Sequence, residues 1–355
     1  MELKEIACNF CINGTPVIIR PHGEGHINLT YYVETDKGSK YILQKINNKL
    51  FSDVSALMKN IELVTTHIAK KNKAEKKAST CLTIVKTHDN QSFYTVDGEF
   101  YRMYDYIDEA IAYQSVSDPS LFYESAVAFG AFQNYLSDFD ASQLTEVLPD
   151  FHNTRKRFSD FKASLKADKV GRAKDVQKEI DFVLSREKYC DKIVSMLKSG
   201  EIPLRVTHND TKLNNVMIDA KTGKARAVID LDTVMPGCSG YDFGDSIRFG
   251  CNSGAEDEPD LSKVNFVFDL FESYSKGYLS TLKNITKAEK DQLAFCAILM
   301  TYECGMRFLA DYLDGDIYFR VKRENHNLDR ARTQFKLVAD MEKQLDKMQK
   351  LIASI

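Results

Sequence analysis

The chain has 355 residues, of which 43% are hydrophobic and 28% charged, as in a folded globular protein with room for two lobes and a cleft between them. The formal net charge of −3 and the pI of about 6.2 give no cationic field for a polyanion, which excludes nucleic acid as the main partner. Charges near the N-terminus exclude a signal peptide, and because no apolar window reaches membrane-spanning length, we expect a cytoplasmic protein.

The first part of the chain predicts a small antiparallel sheet with one main helix. Residues 1–13 have the pattern of a short amphipathic helix, and apolar residues at helical spacing predict a longer helix over 53–69. β-branched and aromatic residues predict strands over 16–21, 29–35, 40–47, 82–86, 92–96 and 99–104. Helical patterns dominate afterwards, so we place a first lobe at residues 1–104 and a second lobe at residues 105–355.

A glycine-bearing turn joins the first two predicted strands. Gly23 and Gly25 belong to a Gly-x-Gly-x-x-Asn pattern that ends at Asn28. Glycines at such a turn let backbone N–H groups approach phosphate oxygens without a Cβ in the way. The same two glycines are also compatible with an ordinary hairpin.

The third predicted strand carries Gln44 at the position where protein kinases present a phosphate-binding lysine. Lys45 should point to the opposite face of the sheet, because successive strand residues alternate. Either the register shifts by one residue, or a neutral amide holds the phosphates with help from elsewhere. Glu62, in the predicted helix, is a candidate for the acid that normally pairs with such a lysine.

Residues 103–108 bridge the sheet-rich part and the helical remainder, so they form the predicted hinge. Exposed backbone at this hinge would be free to pair with adenine, which makes Tyr104 and Tyr106 candidate nucleotide-binding residues. Beyond the hinge, apolar residues at helical spacing predict helices over 121–139, 155–168, 176–198, 241–248, 262–283, 286–314 and 327–353. Asp242 is expected either to cap its helix or to brace the loop described next.

Residues 206–218 have the layout of a catalytic loop, with Asp210 between short apolar runs and Asn215 five positions later. Phosphoryl transfer needs a carboxylate that orients the attacking hydroxyl and an oxygen ligand for the magnesium that carries the phosphates. A buried-strand pattern over 225–229 then ends in two carboxylates, Asp230 and Asp232, and carboxylate oxygens suit magnesium. The alternative is a plain strand and turn, with Asp and Asn as ordinary turn formers.

Four longer runs are similar to those of a known kinase family. They are Thr-His-Asn-Asp-Thr-Lys-Leu-Asn-Asn at 207–215, Ile-Asp-Leu-Asp-Thr at 229–233, Asp-Phe-Gly-Asp-Ser-Ile-Arg-Phe-Gly at 242–250, and Glu-Cys-Gly-Met-Arg-Phe-Leu-Ala-Asp-Tyr at 303–312. The chain resembles the N-acetylhexosamine 1-kinases over essentially its whole length, within the wider aminoglycoside phosphotransferase and choline kinase group. That resemblance implies an α+β, protein-kinase-like bilobal fold, with a small antiparallel-sheet N-lobe and a large, mostly helical C-lobe.

The resemblance also implies an activity, namely ATP-dependent phosphorylation of the anomeric hydroxyl of N-acetylglucosamine or N-acetylgalactosamine. Asp210 would orient and deprotonate that hydroxyl. Asn215 and Asp230 would hold Mg²⁺, and Asp232 would support either the metal or the sugar. The cofactors implied are ATP and Mg²⁺.

By similarity, His26, Arg307 and Tyr318 are the candidates for hydrogen bonds to the sugar. The partners expected are the sugar and ATP, with no nucleic acid, no membrane and a monomeric state. Two alternatives stay open at this point: a sibling kinase acting on another small-molecule alcohol, and a catalytically silent binding protein of the kinase fold.

Overall fold

A computed structural model describes residues 1–23, 27–75, 80–116 and 118–355. An antiparallel sheet forms most of its N-terminal region, in the order β1-β2-β3-β6-β4, with β5 paired to β6. The strands are β1 (Pro16–Pro21), β2 (Leu29–Thr35), β3 (Lys40–Ile46), β4 (Ile84–Val85), β5 (Tyr94–Val96) and β6 (Glu99–Asp105). Its helices are α1 (Leu3–Ala7), shorter than the predicted 1–13, and α2 (Val54–Glu75).

The register of this sheet decides which side chains face the rest of the protein. Thr30, Gln44 and Arg102 are direct cross-strand partners on β2, β3 and β6, so their side chains share one face. Val33, Leu43 and Met103 lie on the opposite face, where a small core includes α1. The sheet therefore has one face packed under α1 and a second face turned toward the C-terminal region.

The C-terminal region is mainly helical, as the sequence predicts. Its helices are α3 (Pro119–Tyr135), α4 (Thr154–Ala167), α5 (Gln177–Leu184), α6 (Lys192–Ser199), α7 (Ser239–Gly250), α8 (Phe268–Thr281), α9 (Lys287–Asp314) and α10 (His326–Ser354). The prediction of one helix over 176–198 is wrong, because the helix is interrupted between α5 and α6. At this break Arg186 and Glu187 form ion pairs with Glu342 and Arg155, respectively, which connect the segment to α10 and α4.

Two small antiparallel sheets interrupt the helices. One contains β7 (Ala110–Ala112), β9 (Val216–Asp219) and β10 (Ala225–Val228), and the other contains β8 (Arg205–Thr207) and β11 (Met235–Gly237). The sequence predicted only helices directly after the hinge, so β7 was missed. A three-residue strand is too short for its own pattern to show, and β7 exists because β9 pairs with it.

Helix α7 lies very close to α9. A Cβ added at Gly244 would come within 2.4 Å of the Cys296 carbonyl oxygen, and one at Gly240 within 2.4 Å of the Cys296 sulfur. Glycine is needed at both positions because no larger residue allows this approach. The contact fixes the position of α7, which carries the carboxylates that organise the site described below.

Helix α9 corrects one expectation from the sequence. It contains an 18-residue window with a mean hydropathy of 1.4, so it is long and apolar enough to cross a membrane by length and composition alone. However, 83% of that window is buried inside the fold. Its apolar residues thus form part of the protein core, where they contact α7, α4 and α10.

Candidate active site

The predicted catalytic loop lies between β8 and β9, and Asp242 holds its backbone in place. The two carboxylate oxygens of Asp242 accept hydrogen bonds from the backbone N–H groups of His208 at 3.0 Å and Asn209 at 2.8 Å. Asn209 has a φ of 65°, a left-handed conformation that needs such support. Of the two roles expected for Asp242, bracing of the loop is the one observed, because the hydrogen bonds that its carboxylate accepts from described residues come from His208, Asn209 and Gln133, all outside α7.

Asp210 is partly exposed at the centre of this loop and has two side-chain partners. Lys212 Nζ lies 2.9 Å from one carboxylate oxygen, and Asn215 Nδ2 donates to the other at 3.2 Å. Asn215 Nδ2 also donates to the Asp210 carbonyl oxygen at 2.8 Å. The negative charge of Asp210 raises the pKa of Lys212, so this lysine stays protonated beside the carboxylate.

Asp230 follows β10 and is bonded to the catalytic loop through its neighbour. The Ile229 N–H donates to the Asn215 carbonyl oxygen at 2.9 Å, and His208 Nε2 lies 2.9 Å from the Ile229 carbonyl oxygen. Asp230 adopts a left-handed conformation with φ of 58°. These bonds bring Asp230 beside Asp210, which the sequence places 20 residues away.

The Asp230 carboxylate is exposed, and within the described ranges no group donates a hydrogen bond to it. Desolvation by the surrounding protein raises its pKa, and the nearby charges of Asp232 and Asp210 raise it further. Water reaches this side chain and screens part of the effect. A cation at this position would compensate the three neighbouring carboxylates.

The chemistry of these donors fits magnesium. Asn215 Nδ2 donates its hydrogen bonds to Asp210, so the Asn215 Oδ1 is free to bind a metal ion. The Asp230 carboxylate is the second oxygen donor. In the described part of the chain, no group of three or more His, Cys, Asp or Glu side chains is placed to hold a metal ion. Magnesium is usually bound by one or two protein ligands together with phosphates and water, and one amide oxygen with one carboxylate suits that pattern.

Asp232, predicted to support metal or sugar, lies in a different environment. It is 2% exposed, and its Oδ2 accepts a hydrogen bond from Asn28 Nδ2 at 2.6 Å. Its Oδ1 pairs with Nη1 of Arg102, which is itself 1% exposed. Both oxygens therefore contact residues of the N-terminal sheet region, a link that the sequence did not reveal, and the metal or sugar role of Asp232 stays a prediction.

The predicted nucleotide-binding residues are only partly brought together. Gln44 faces the C-terminal region and accepts a hydrogen bond from Arg102 Nε at 2.9 Å, so the register does not shift. Lys45 points to the other face and pairs with Glu99 at 2.8 Å. Glu62 pairs with Lys86 at the protein surface, so it does not pair with a lysine of β3.

Around the hinge, Tyr104 and Tyr106 differ in their surroundings. Tyr104 is 2% exposed, and its hydroxyl has no hydrogen-bond partner among the described residues. Tyr106 is half-buried and stacks edge-on against Tyr32, with ring centroids 5.3 Å apart. Gly23 is exposed with a φ of +75°, whereas Gly25 and His26 lie outside the described residues. The nucleotide contacts of all these residues stay predictions.

Arg307 and Tyr318, the other predicted sugar contacts, are neighbours. The Arg307 guanidinium lies 5.9 Å from the centre of the Tyr318 ring and 5.1 Å from that of Phe151. Asp311 fixes the segment that carries Tyr318, because its carboxylate accepts hydrogen bonds from three backbone N–H groups there, at 2.7 to 3.0 Å. Tyr318 is 60% exposed and therefore free to contact a ligand.

Phe151, Arg307 and Tyr318 form a surface that we call the acceptor wall, and a histidine that sequence reasoning missed lies beside it. His152 Nδ1 lies 2.7 Å from the carboxylate of Glu303 on α9, and its buried Nε2 has no partner among the described residues. His152 is also a neighbour of Asp245, whose carboxylate accepts a hydrogen bond from the Thr211 N–H at 2.9 Å. No local motif marks His152, since its partner Glu303 is 151 residues away.

A family profile matches most of the chain. Residues 18–269 match the family profile described as "Phosphotransferase enzyme family". This segment covers more than half of the chain and includes the sheet, the catalytic loop and both carboxylates after β10.

Solved structures show the same fold at low sequence identity. An aminoglycoside phosphotransferase from Alicyclobacillus acidocaldarius superposes with a TM-score of 0.65 at 11% identity, covering 100% of this chain and 97% of the other. A microcompartment-associated aminopropanol kinase gives 0.61 at 16% identity, with 98% and 97% covered. A Plasmodium vivax ethanolamine kinase gives 0.58 at 15% identity, with 89% and 82% covered. The protein-kinase-like fold predicted from the sequence is therefore confirmed.

Proposed function

Since the chain belongs to the Phosphotransferase enzyme family, we propose that it is an ATP-dependent small-molecule kinase that phosphorylates the anomeric hydroxyl of N-acetylhexosamines. The products would be the 1-phosphates of N-acetylglucosamine and N-acetylgalactosamine. Support for the sugar comes from the resemblance of residues 207–215, 229–233, 242–250 and 303–312 to the N-acetylhexosamine 1-kinases.

The observation that carries the kinase proposal is the convergence of Asp210, Lys212, Asn215 and Asp230. Two hydrogen-bonded loops bring these four side chains together, and the proposal assigns to them the base, the cation and the two oxygen ligands that phosphoryl transfer requires. A binding protein that had lost catalysis would need none of them in this order. The catalytically silent alternative is therefore disfavoured.

In this proposal Asp210 accepts a hydrogen bond from the sugar hydroxyl and takes its proton as the phosphoryl group is transferred. An anomeric hydroxyl is more acidic than an ordinary alcohol, so a modest carboxylate base suffices, and most of the rate comes from alignment and charge neutralisation. Lys212 Nζ, which is 2.9 Å from an Asp210 oxygen, pairs with this carboxylate and orients it.

Mg²⁺ and ATP are proposed as cofactors, with Asn215 and Asp230 as the metal ligands. Magnesium, when bound, neutralises phosphate charge. The hydrogen bonds between the loops hold the backbone that carries Asn215 and Asp230 before any ligand arrives, which lowers the entropy lost on binding.

The acceptor wall favours a neutral sugar over a cationic alcohol. Arg157 lies near Arg307, and burial together with the positive charge of Arg307 lowers the pKa of Arg157. Two adjacent guanidinium groups repel an ammonium ion, whereas hydroxyl and acetamide oxygens accept their hydrogen bonds. Amino alcohols, which the names of two structural neighbours suggest, are therefore the less favoured acceptors. We also propose a cytoplasmic monomer, with lobes at residues 1–104 and 105–355.

The test is to incubate the purified protein with Mg²⁺, ATP and one acceptor at a time. The panel contains N-acetylglucosamine, N-acetylgalactosamine, glucosamine, galactose, choline, ethanolamine and an aminoglycoside. ³¹P NMR then locates the phosphate on each product. We expect the N-acetylhexosamines to be consumed and to lose their reducing-end reactivity, because phosphorylation at C1 blocks the anomeric carbon.

Two results would contradict the proposal in different ways. A product that keeps its reducing-end reactivity would place the phosphate on another hydroxyl and refute the anomeric assignment. Turnover of choline or ethanolamine alone would show that the acceptor is an amino alcohol, while the kinase activity itself would stand.

A further inference from the structure

The N-terminal sheet lacks a lysine at the position where kinases hold the nucleotide phosphates. Gln44 occupies it, and Lys45 on the opposite face pairs with Glu99 at 2.8 Å. A neutral amide cannot replace the charge of that lysine. If the chain binds a nucleotide, another cation must reach the phosphates from the same face of the sheet.

Arg102 on β6 is on that face. It is the direct cross-strand partner of Gln44, and its Nε donates to Gln44 Oε1 at 2.9 Å. Antiparallel partners lie about 5 Å apart. Arg102 therefore occupies the position on β6 directly beside the β3 position that carries the lysine in protein kinases.

Two of the three guanidinium nitrogens of Arg102, Nε and Nη1, bind Gln44 and Asp232, and the third is Nη2. Nη1 pairs with Asp232 Oδ1, and the side chain is 1% exposed. Burial lowers the pKa of Arg102, but the charges of Asp232 and Asp230 outweigh it, so the pKa is raised and Arg102 stays charged. Within the described ranges, Nη2 of Arg102 donates no hydrogen bond, so this donor is free to bind a ligand. The proposed metal ligand Asp230 is close enough for its charge to act on the guanidinium.

We propose that Arg102 is the cation that binds the nucleotide phosphates in this protein, with Asp232 as the carboxylate that holds its guanidinium in position. The assignment rests on the proposed kinase function. Phosphate oxygens accept from Nη2, while Nε and Nη1 keep their bonds to Gln44 and Asp232. Arginine suits this task because its planar donors match phosphate oxygens and its charge persists when it is buried.

In this arrangement Asp232 forms the ion pair that positions Arg102, as a helix glutamate positions the strand lysine of a kinase. It is on the C-terminal side and two residues after Asp230, so the pair Arg102–Asp232 connects the sheet to the segment that carries the proposed metal ligand. Asn28 Nδ2 supports the same carboxylate at 2.6 Å. Glu62 on α2 instead forms an ion pair with Lys86 at the surface.

The test measures binding of ADP and of adenosine to the full-length protein in EDTA, so that no metal ion contributes. The variants are Arg102→Met, Arg102→Lys and the double variant Arg102→Met/Asp232→Asn, with Lys45→Met as a matched control on the other face. We expect Arg102→Met to weaken ADP binding by about 10- to 100-fold, the usual effect of one charge-assisted hydrogen bond, and to change adenosine binding less than about 2-fold. Arg102→Lys keeps the charge but has one donor nitrogen in place of three, so it should lose less ADP affinity than Arg102→Met without restoring the wild-type value. Lys45→Met should leave the ADP affinity unchanged.

The double variant keeps the inference testable if Arg102→Met does not fold. Removing Arg102 alone leaves a buried, unpaired carboxylate, whereas the double change removes both charges. We expect the double variant to fold and still to bind ADP weakly. ADP affinity within about 2-fold of the wild type in that variant, or equal losses for ADP and adenosine, would overturn the inference in favour of a purely structural ion pair.

The two proposals fail in distinguishable ways. A wild-type protein that binds neither ADP nor adenosine would overturn the kinase function and, with it, the role of Arg102. A wild-type protein that binds ADP as tightly as its Arg102→Met variant would overturn the role of Arg102 alone.

Discussion

Replacing Asp210 with asparagine tests the central chemical assignment. The amide has the same shape, so the contact with Asn215 can persist, but it has no charge to take a proton or to pair with Lys212. A positioned general base contributes about 10²- to 10⁴-fold in rate, which corresponds to about 2.7 to 5.4 kcal/mol in activation free energy. We therefore expect kcat to fall by that factor, while ATP affinity changes little because Asp210 faces the acceptor.

The assay follows ADP release at saturating ATP and sugar, with nucleotide affinity measured separately by titration. Asp291→Asn is the matched control, since Asp291 is an exposed carboxylate on α9 that pairs with Lys287. This control should retain full activity. If Asp210→Asn kept its kcat within about 10-fold of the wild type, Asp210 would not be the base and the reasoning would be refuted.

Three further variants test other parts of the site and fold. Asp230→Asn should lower kcat by about 10²-fold or more and raise the Mg²⁺ concentration needed for half-maximal rate; an unchanged Mg²⁺ titration would exclude Asp230 as a ligand. Arg307→Met should raise the KM for the sugar by about 10-fold and leave the KM for ATP unchanged. If both KM values of the variant equalled those of the wild type, Arg307 would not belong to the acceptor wall. Glu289→Gln, which breaks the buried pair with Arg205, should cost on the order of 3 kcal/mol in unfolding free energy at neutral pH. Burial opposes ionisation of Glu289, but Arg205 lowers its pKa below the usual 4.5, so this stability is present above pH 4.5 and lost as the pH falls. The measurement is the unfolding free energy of the wild type and of Glu289→Gln as the pH is lowered. A difference between the two proteins that does not shrink in acid would contradict the ionic role of Glu289.

Much of the fold and part of the candidate site could be predicted from local sequence. Apolar spacing marks α2, α3, α9 and α10, because a helix that packs against a core repeats its apolar residues every three or four positions. The spacing of Asp210 and Asn215 is equally local, since one short loop carries both. Predictions failed where a segment depends on a distant partner, as with β7, which forms only beside β9.

The sequence by itself thus placed Asp210, Asn215 and Asp230 within one stretch of chain and predicted the roles of base and metal ligands for them. The tertiary structure alone decided that Arg102 meets Asp232 across 130 residues and that His152 meets Glu303 across 151. Such pairs have no signature in spacing, because sheet register and helix packing set which side chains meet. A lone arginine in an apolar strand is visible in the sequence, but the carboxylate that makes its burial tolerable comes from the other side of the fold.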